Sequence, residues 1–127
     1  MASVIDWSEA MQQCGDDEEF LRELLDDLRS ETETQMERIK QVISAPDNTV
    51  FISITRAAHV IKGAAANLMC GQLKETAMHL EKIAQKANAD PASSTANPAV
   101  LAEVKQRYED LAKAVKDYNA YLASIGV

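Results

Sequence analysis

The sequence predicts an all-α protein, an antiparallel four-helix bundle with a short additional N-terminal helix. The 127 residues include only four glycines and three prolines, so few positions could form the tight turns of β-hairpins. Apolar residues recur at three- and four-residue intervals along four long segments, as on amphipathic helices. Because 46% of the residues are hydrophobic and 26% are charged, we expect one globular domain over residues 1–127.

The first predicted helix is short and runs from Trp7 to Cys14. Asp6 is the predicted N-cap, because a short acidic side chain can accept a hydrogen bond from a free backbone N–H of the first turn. Gly15 is the predicted stop, because glycine tolerates the left-handed conformation that often follows a helix.

The second predicted helix is long, beginning at Asp16 or Asp17 and ending near Ser44. Acidic residues in its first turn complement the positive end of the helix dipole. Pro46 marks the following turn, because proline cannot continue the hydrogen-bond ladder. Spacing predicts one apolar side on this helix, made of Phe20, Leu24, Leu28, Met36, Ile39 and Ile43.

Three further helices complete the predicted bundle. The third runs from Thr49 to Met69, capped by Asp47 or Asn48, and the fourth continues from a turn near Gly71 to Ala89. The last starts at Asn97 and Pro98, a favourable cap and first residue, and ends near Ser124. The segment between the last two is predicted to be a loop. The buried side of the third helix is predicted to contain Ile54, Ala57, Ala58, Ile61, Ala65 and Leu68.

Charge and cysteine content exclude several classes of function. The net charge of −7 disfavours binding to a nucleic acid or to an anionic membrane. Cys14 and Cys70 belong to no zinc-type cluster, so two reduced, partly buried thiols are expected. The first residues resemble no signal peptide, and no apolar run could span a bilayer. We therefore expect a cytoplasmic protein, able to enter a nucleus by size alone if it is eukaryotic.

His59 is the candidate reactive residue. Helical spacing places it on a strip with Arg56, Lys62 and Gly63, away from the predicted core. A neutral imidazole is a nucleophile near pH 7, and a lysine one turn along can stabilise an added phosphoryl group. Glycine inside a helix costs about 1 kcal/mol relative to alanine, which favours a close approach of another group at Gly63.

Less specific interpretations stay open at this point. An exposed histidine on a helix is usually a surface residue without a role. His79 could join His59 at a metal only if further ligands existed, and none can be assigned from the sequence. A helical adaptor or a purely structural bundle would also fit the composition.

The segment Ala58-His59-Val60-Ile61-Lys62-Gly63-Ala64-Ala65 resembles the motif of histidine-containing phosphotransfer (HPt) domains. In that family the motif is Ala-His-x-apolar-Lys-Gly followed by small residues. The family also resembles this chain in its short first helix and in the Gly15-Asp16 start of a long acidic helix. One departure is Met69, where many members have glycine, and it puts the register of the fourth helix in question.

The resemblance implies a role for each matching residue. His59 would be the phosphoacceptor through its Nε2, Lys62 would neutralise the phosphoryl group, and Gly63 would keep the surface open. Glu81 falls where the family commonly has Gln or Glu, which accepts a hydrogen bond from the imidazole Nδ1–H. An ordinary solvated glutamate is the equal alternative for Glu81.

The resemblance also implies the partners. The phosphoryl donor would be the aspartyl phosphate of a receiver domain, usually in a hybrid histidine kinase, and the acceptor would be a receiver in a response regulator. The receivers would supply Mg²⁺, so no cofactor is expected on this chain. No glycine-rich phosphate loop is present, so we expect a carrier without kinase activity. We expect a monomer, and the span of the bundle from Met1 to Val127 favours a chain that stands alone. A receiver-binding adaptor that is not phosphorylated is the alternative.

Overall fold

The computed structural model describes residues 3–89 and 98–127. Within these two ranges all regular secondary structure is helical, which confirms the predicted fold class. The five helices are α1 (Trp7–Gln13), α2 (Glu18–Ser44), α3 (Val50–Asn67), α4 (Gly71–Ala89) and α5 (Pro98–Ser124).

The four long helices form the bundle. Their most extensive interface joins α3 and α4, α3 also packs on α2, and α4 also packs on α5. A smaller contact between α5 and α2 closes the ring, and α1 lies against α2. Because the turns between α2 and α3 and between α3 and α4 span only a few residues, consecutive helices run antiparallel. The four-helix bundle with a short additional N-terminal helix is therefore confirmed.

The predicted N-cap of α1 is confirmed, and α2 is capped by Asp17, one of the two residues at which this helix was predicted to begin. Oδ1 of Asp6 accepts a hydrogen bond from the Glu9 N–H, and Oδ1 of Asp17 accepts one from the Phe20 N–H, both at 3.1 Å. The prediction for α3 was wrong, because its N-cap is Thr49, which makes no side-chain cap bond. Asp47 instead accepts hydrogen bonds from the Thr49 amide and hydroxyl, forming the turn that precedes the helix.

The predicted apolar side of α2 was partly wrong. Phe20 is 46% exposed, and Leu24 is only partly buried at the edge of the core. Leu24 and Leu25 both fit helical spacing, so spacing alone could not show which of them is buried. Packing of α2 on α3 and α5 buries Leu25. The buried residues of α2 are Leu21, Leu25, Leu28, Thr32, Gln35 and Ile39.

The turn between α3 and α4 depends on a methionine with positive φ. Met69 has φ of +58°, and α3 ends at Asn67, two residues earlier than predicted. The Cys70 N–H donates to the Ala65 carbonyl at 2.9 Å, and the Met69 N–H donates to the Ala66 carbonyl at 3.2 Å. This is the hydrogen-bond pattern of a Schellman motif, whose left-handed position usually holds glycine.

The core is closed by polar contacts as well as by apolar packing. Tyr118 on α5 is fully buried, and its hydroxyl donates to the Leu25 carbonyl on α2 at 2.6 Å.

Cys14 and Cys70 are free and buried, as expected. Burial raises the pKa of the Cys70 thiol to about 12.

Three remaining predictions concern the last loop, the buried side of α3 and membrane-spanning segments. The predicted loop Asp90–Asn97 and the predicted Asn97 cap lie outside the described residues. The predicted buried side of α3 is confirmed at all six positions. Among the helices of the described ranges, none has the length and apolar character needed to cross a membrane.

Candidate functional site

His59 lies on the solvent side of α3, near the middle of the helix. Its neighbours Ala58 and Ile61 are completely buried, so they fix the helix face that points inward. The His59 side chain is 67% exposed. The imidazole therefore projects into solvent from a helix whose opposite side is packed in the core.

Glu81 on α4 faces His59 across the α3–α4 interface. Its carboxylate is nearly buried, and its Oε2 lies 2.6 Å from His59 Nδ1. Because an ionised carboxylate can only accept hydrogen bonds, Nδ1 is the protonated nitrogen of the neutral ring. The other ring nitrogen, Nε2, then carries the free electron pair.

The same carboxylate also binds Lys62. The ammonium Nζ of Lys62 donates to Glu81 Oε1 at 2.6 Å, so the two oxygens of Glu81 serve two residues of α3. His59 and Lys62 stand three residues apart on one face of the helix. The result is a three-residue cluster in which Glu81 orients both the imidazole and the cation.

The ionisation of Glu81 reflects opposing influences. Burial acts to raise the pKa of its carboxyl group, whereas hydrogen bonds from Lys62 and His59, together with their charges, act to lower it. The balance lowers the pKa of Glu81 below its ordinary value. Glu81 is therefore a carboxylate at neutral pH, and it acts as an acceptor toward both partners.

Gly63 forms an open position on the surface beside this cluster. It is exposed, and a Cβ atom built there would meet no neighbouring atom within 4 Å. The glycine is therefore not required by packing inside this protein. It leaves the backbone of α3 uncovered next to Lys62.

His79, the second histidine, is not part of this cluster. It is exposed on α4 and lines a shallow groove between α4 and α5 together with Lys82 and Arg107. In residues 3–89 and 98–127, no group of three His, Cys, Asp or Glu side chains is arranged to hold a metal ion.

Two residues near His59 received no role in the sequence analysis. Val60 follows His59 directly and is 38% exposed, and Arg38 reaches the same side of the molecule from α2. For Val60, the sequence offered one indication of exposure, because an apolar residue directly follows the outward-facing His59. Arg38 gave no signal, because its position opposite α3 follows from helix packing alone.

Comparison with known proteins gives the class of the molecule. A family model described as the Hpt domain matches residues 23–114, a span that includes α3, α4 and the three-residue cluster. Neither the comparison with curated proteins nor the comparison with solved structures gave a significant match.

Because the family model covers well over half of the chain, the protein belongs to the Hpt domain family. Hpt domains carry phosphoryl groups in two-component signalling, are not kinases, and interact with receiver domains. The fold and the family therefore define a phosphotransfer domain of a two-component system.

Proposed function

We propose that His59 is the phosphoacceptor of a multistep phosphorelay. It takes the phosphoryl group from the aspartyl phosphate of one receiver domain, in a hybrid histidine kinase, and passes it to the aspartate of a second receiver, in a response regulator. The observation that carries the proposal is the 2.6 Å contact between His59 Nδ1 and Glu81 Oε2, because it leaves Nε2 unprotonated on an exposed ring.

The transfer step follows from this tautomer. The electron pair of Nε2 attacks phosphorus, an N–P bond forms, and the bond between phosphorus and the aspartate oxygen breaks. The aspartate leaves as a carboxylate with that electron pair. The proton stays on Nδ1, and the positive charge that develops on the ring faces the Glu81 carboxylate, which stabilises it. Transfer to the second receiver is the reverse sequence on a different aspartate.

Lys62 has two successive partners in this scheme. In the free protein its ammonium pairs with Glu81, which keeps the lysine beside the ring. When three phosphoryl oxygens arrive on Nε2, the ammonium can turn toward them, because Lys62 lies one helical turn from His59. Glu81 thus holds the Lys62 ammonium close to His59 until the phosphoryl oxygens replace the carboxylate as its partner.

The remaining components come from the partner. We expect the receiver to supply Mg²⁺ and most of the charge stabilisation, so that this chain contributes the nucleophile, one cation and an open surface. Gly63 supplies that open surface, because no side chain there would meet the incoming domain. The chain then acts as a carrier and performs no phosphorylation from ATP.

The decisive experiment measures transfer from a radiolabelled, phosphorylated receiver to wild-type protein and to His59→Gln. Circular dichroism first establishes that both are equally helical. We expect label on the wild type alone, stable in alkali and lost in acid, with ³¹P–¹⁵N coupling that places phosphorus on Nε2. A second, unlabelled receiver should then remove the label.

Two results would contradict the proposal. Equal labelling of His59→Gln would place the phosphoryl group on another residue. A folded wild type that takes no label from any receiver, but still binds receivers, would indicate a binding adaptor instead of a carrier.

A further inference from the structure

A groove between α2 and α3 runs beside His59, and its charge differs from that of the rest of the molecule. Eight residues line it, four from each helix, and none of them is acidic, although the chain has 20 acidic residues. Arg38 stands on the α2 wall and Arg56 on the α3 wall, with Val42 and Val60 as apolar lining.

Both arginines are available to a partner. Arg38 and Arg56 are exposed, and neither forms an ion pair within residues 3–89 and 98–127. In contrast, Arg22 and Arg29 on the same α2 helix pair with Glu18 and Asp26. An arginine held by no carboxylate of its own chain can bind a carboxylate of another in bidentate fashion.

The groove is continuous with the face that presents His59. Arg56 precedes His59 by three residues, so the two share one side of α3, and Val60 follows His59 directly. Residues 1–49 carry 13 acidic and four basic side chains, whereas residues 50–127 carry seven acidic and nine basic ones. An acidic partner would therefore be repelled by most of α2 but not by the part of it that lines the groove, which contributes Arg38 and no acidic side chain.

We propose that this groove, named here the Arg38–Arg56 groove, binds a carboxylate on the docking face of the donor receiver, with an apolar neighbour of that carboxylate resting on Val60. The inference rests on the proposed phosphorelay function and adds a determinant of partner choice to it. Arg38 and Arg56 are specificity-determining residues, which select and orient the receiver before transfer.

The test compares three proteins in single-turnover transfer from a phosphorylated receiver, over a range of receiver and salt concentrations. Arg38→Gln/Arg56→Gln removes both groove cations. The matched control Lys40→Gln/Lys105→Gln removes two exposed cations from α2 and α5 that do not line the groove. Circular dichroism and labelling at saturating receiver establish that each protein is folded and competent.

We expect the groove variant to raise the receiver concentration needed for half-maximal transfer about tenfold, with little change in the maximal rate. Its dependence on salt should be shallower than that of the wild type, since two screened attractions are lost. The control should resemble the wild type. Arg56→Glu should be rescued by replacing one acidic residue of the receiver with arginine, which would identify the occupant.

Two results would overturn the inference while leaving the carrier function intact. One is an unchanged half-maximal concentration and salt dependence in the groove variant. The other is wild-type self-association in sedimentation that the groove variant abolishes, because the occupant would then be a second copy of this chain. Failure of the wild type to take label at any receiver concentration would instead contradict the proposed function itself.

Discussion

Glu81 and His59 belong to different helices, yet the carboxylate oxygen Oε2 lies only 2.6 Å from the imidazole Nδ1. The carboxylate is almost entirely buried, while the ring is two-thirds exposed. A buried acceptor thus holds an exposed imidazole in one tautomer and one orientation. Because the second oxygen of Glu81 binds Lys62 at the same distance, one residue of α4 organises the whole cluster on α3.

Replacement of Glu81 by glutamine should separate charge from hydrogen bonding. Glu81→Gln keeps an oxygen that can accept from Nδ1–H but loses the negative charge that holds Lys62. We expect transfer to His59 to persist at a reduced rate. Glu81→Ala should lower the rate further, because nothing then selects the tautomer. Single-turnover transfer measures both, and equal rates for the two variants would contradict the positioning role.

The pH dependence of stability should show the depressed pKa of Glu81. Because the pKa of Glu81 is lower in the folded protein, its carboxylate stabilises the fold above the unfolded value, and this contribution is lost as the pH falls. The free energies of unfolding of the wild type and of Glu81→Gln, measured with urea, should differ most near pH 7. The difference should shrink as the pH falls through and below about 4.3. A difference that grows at low pH would contradict a stabilising role for the Glu81 carboxylate.

Removal of the cation at Lys62 should affect transfer more than folding. Lys62→Met keeps a long side chain without charge, so helix packing is retained while one stabilising group for the phosphoryl oxygens is lost. We expect transfer to slow by at least about tenfold, and Lys62→Arg to recover part of the rate. Lys116→Met, on the exposed side of α5, is the matched control. Equal loss in the control would indicate an effect of net charge alone.

Gly63 should show a conflict between stability and function. No neighbour would touch an added Cβ, and alanine is favoured over glycine inside a helix by about 1 kcal/mol. Gly63→Ala should therefore raise the melting temperature. Gly63→Gln should fold equally well but transfer poorly, because its side chain occupies the space left for the receiver. A Gly63→Gln protein with wild-type transfer would show that the position need not be open.

At position 69, the glycine variant should be more stable than the alanine variant, the reverse of the order usual in a helix. Both Met69→Ala and Met69→Gly remove the same side-chain packing, but only alanine retains the Cβ that opposes a φ of +58°. We expect the glycine variant to be the more stable by about 0.5–1 kcal/mol in urea unfolding. An alanine variant of equal or greater stability would mean that the left-handed turn is not maintained.

The helical class and the candidate reactive residue, His59, could both be predicted from the amino-acid pattern. The inward face of α3 could be predicted, because Ala58 and Ile61 repeat at helical spacing and place His59 outside. The cap Asp6 could also be predicted, because capping depends on residues close in the chain. Each of these features is local, so the amino-acid pattern contains it.

Contacts between helices could not be predicted from the sequence. Spacing on α2 could not distinguish the line through Leu24 from the line through Leu25, since helix periodicity is the same for both, and packing on α3 and α5 made the choice. The distance from Glu81 to His59 depended on the turn at Met69, which adopts a left-handed conformation that sequence preference assigns to glycine. The ion pair of Lys62 with Glu81, and the positions of Arg38 and Arg56 on opposite walls of one groove, bring together residues that are separated in the chain. Such relationships are set by how helices pack, and no periodicity within one helix records them.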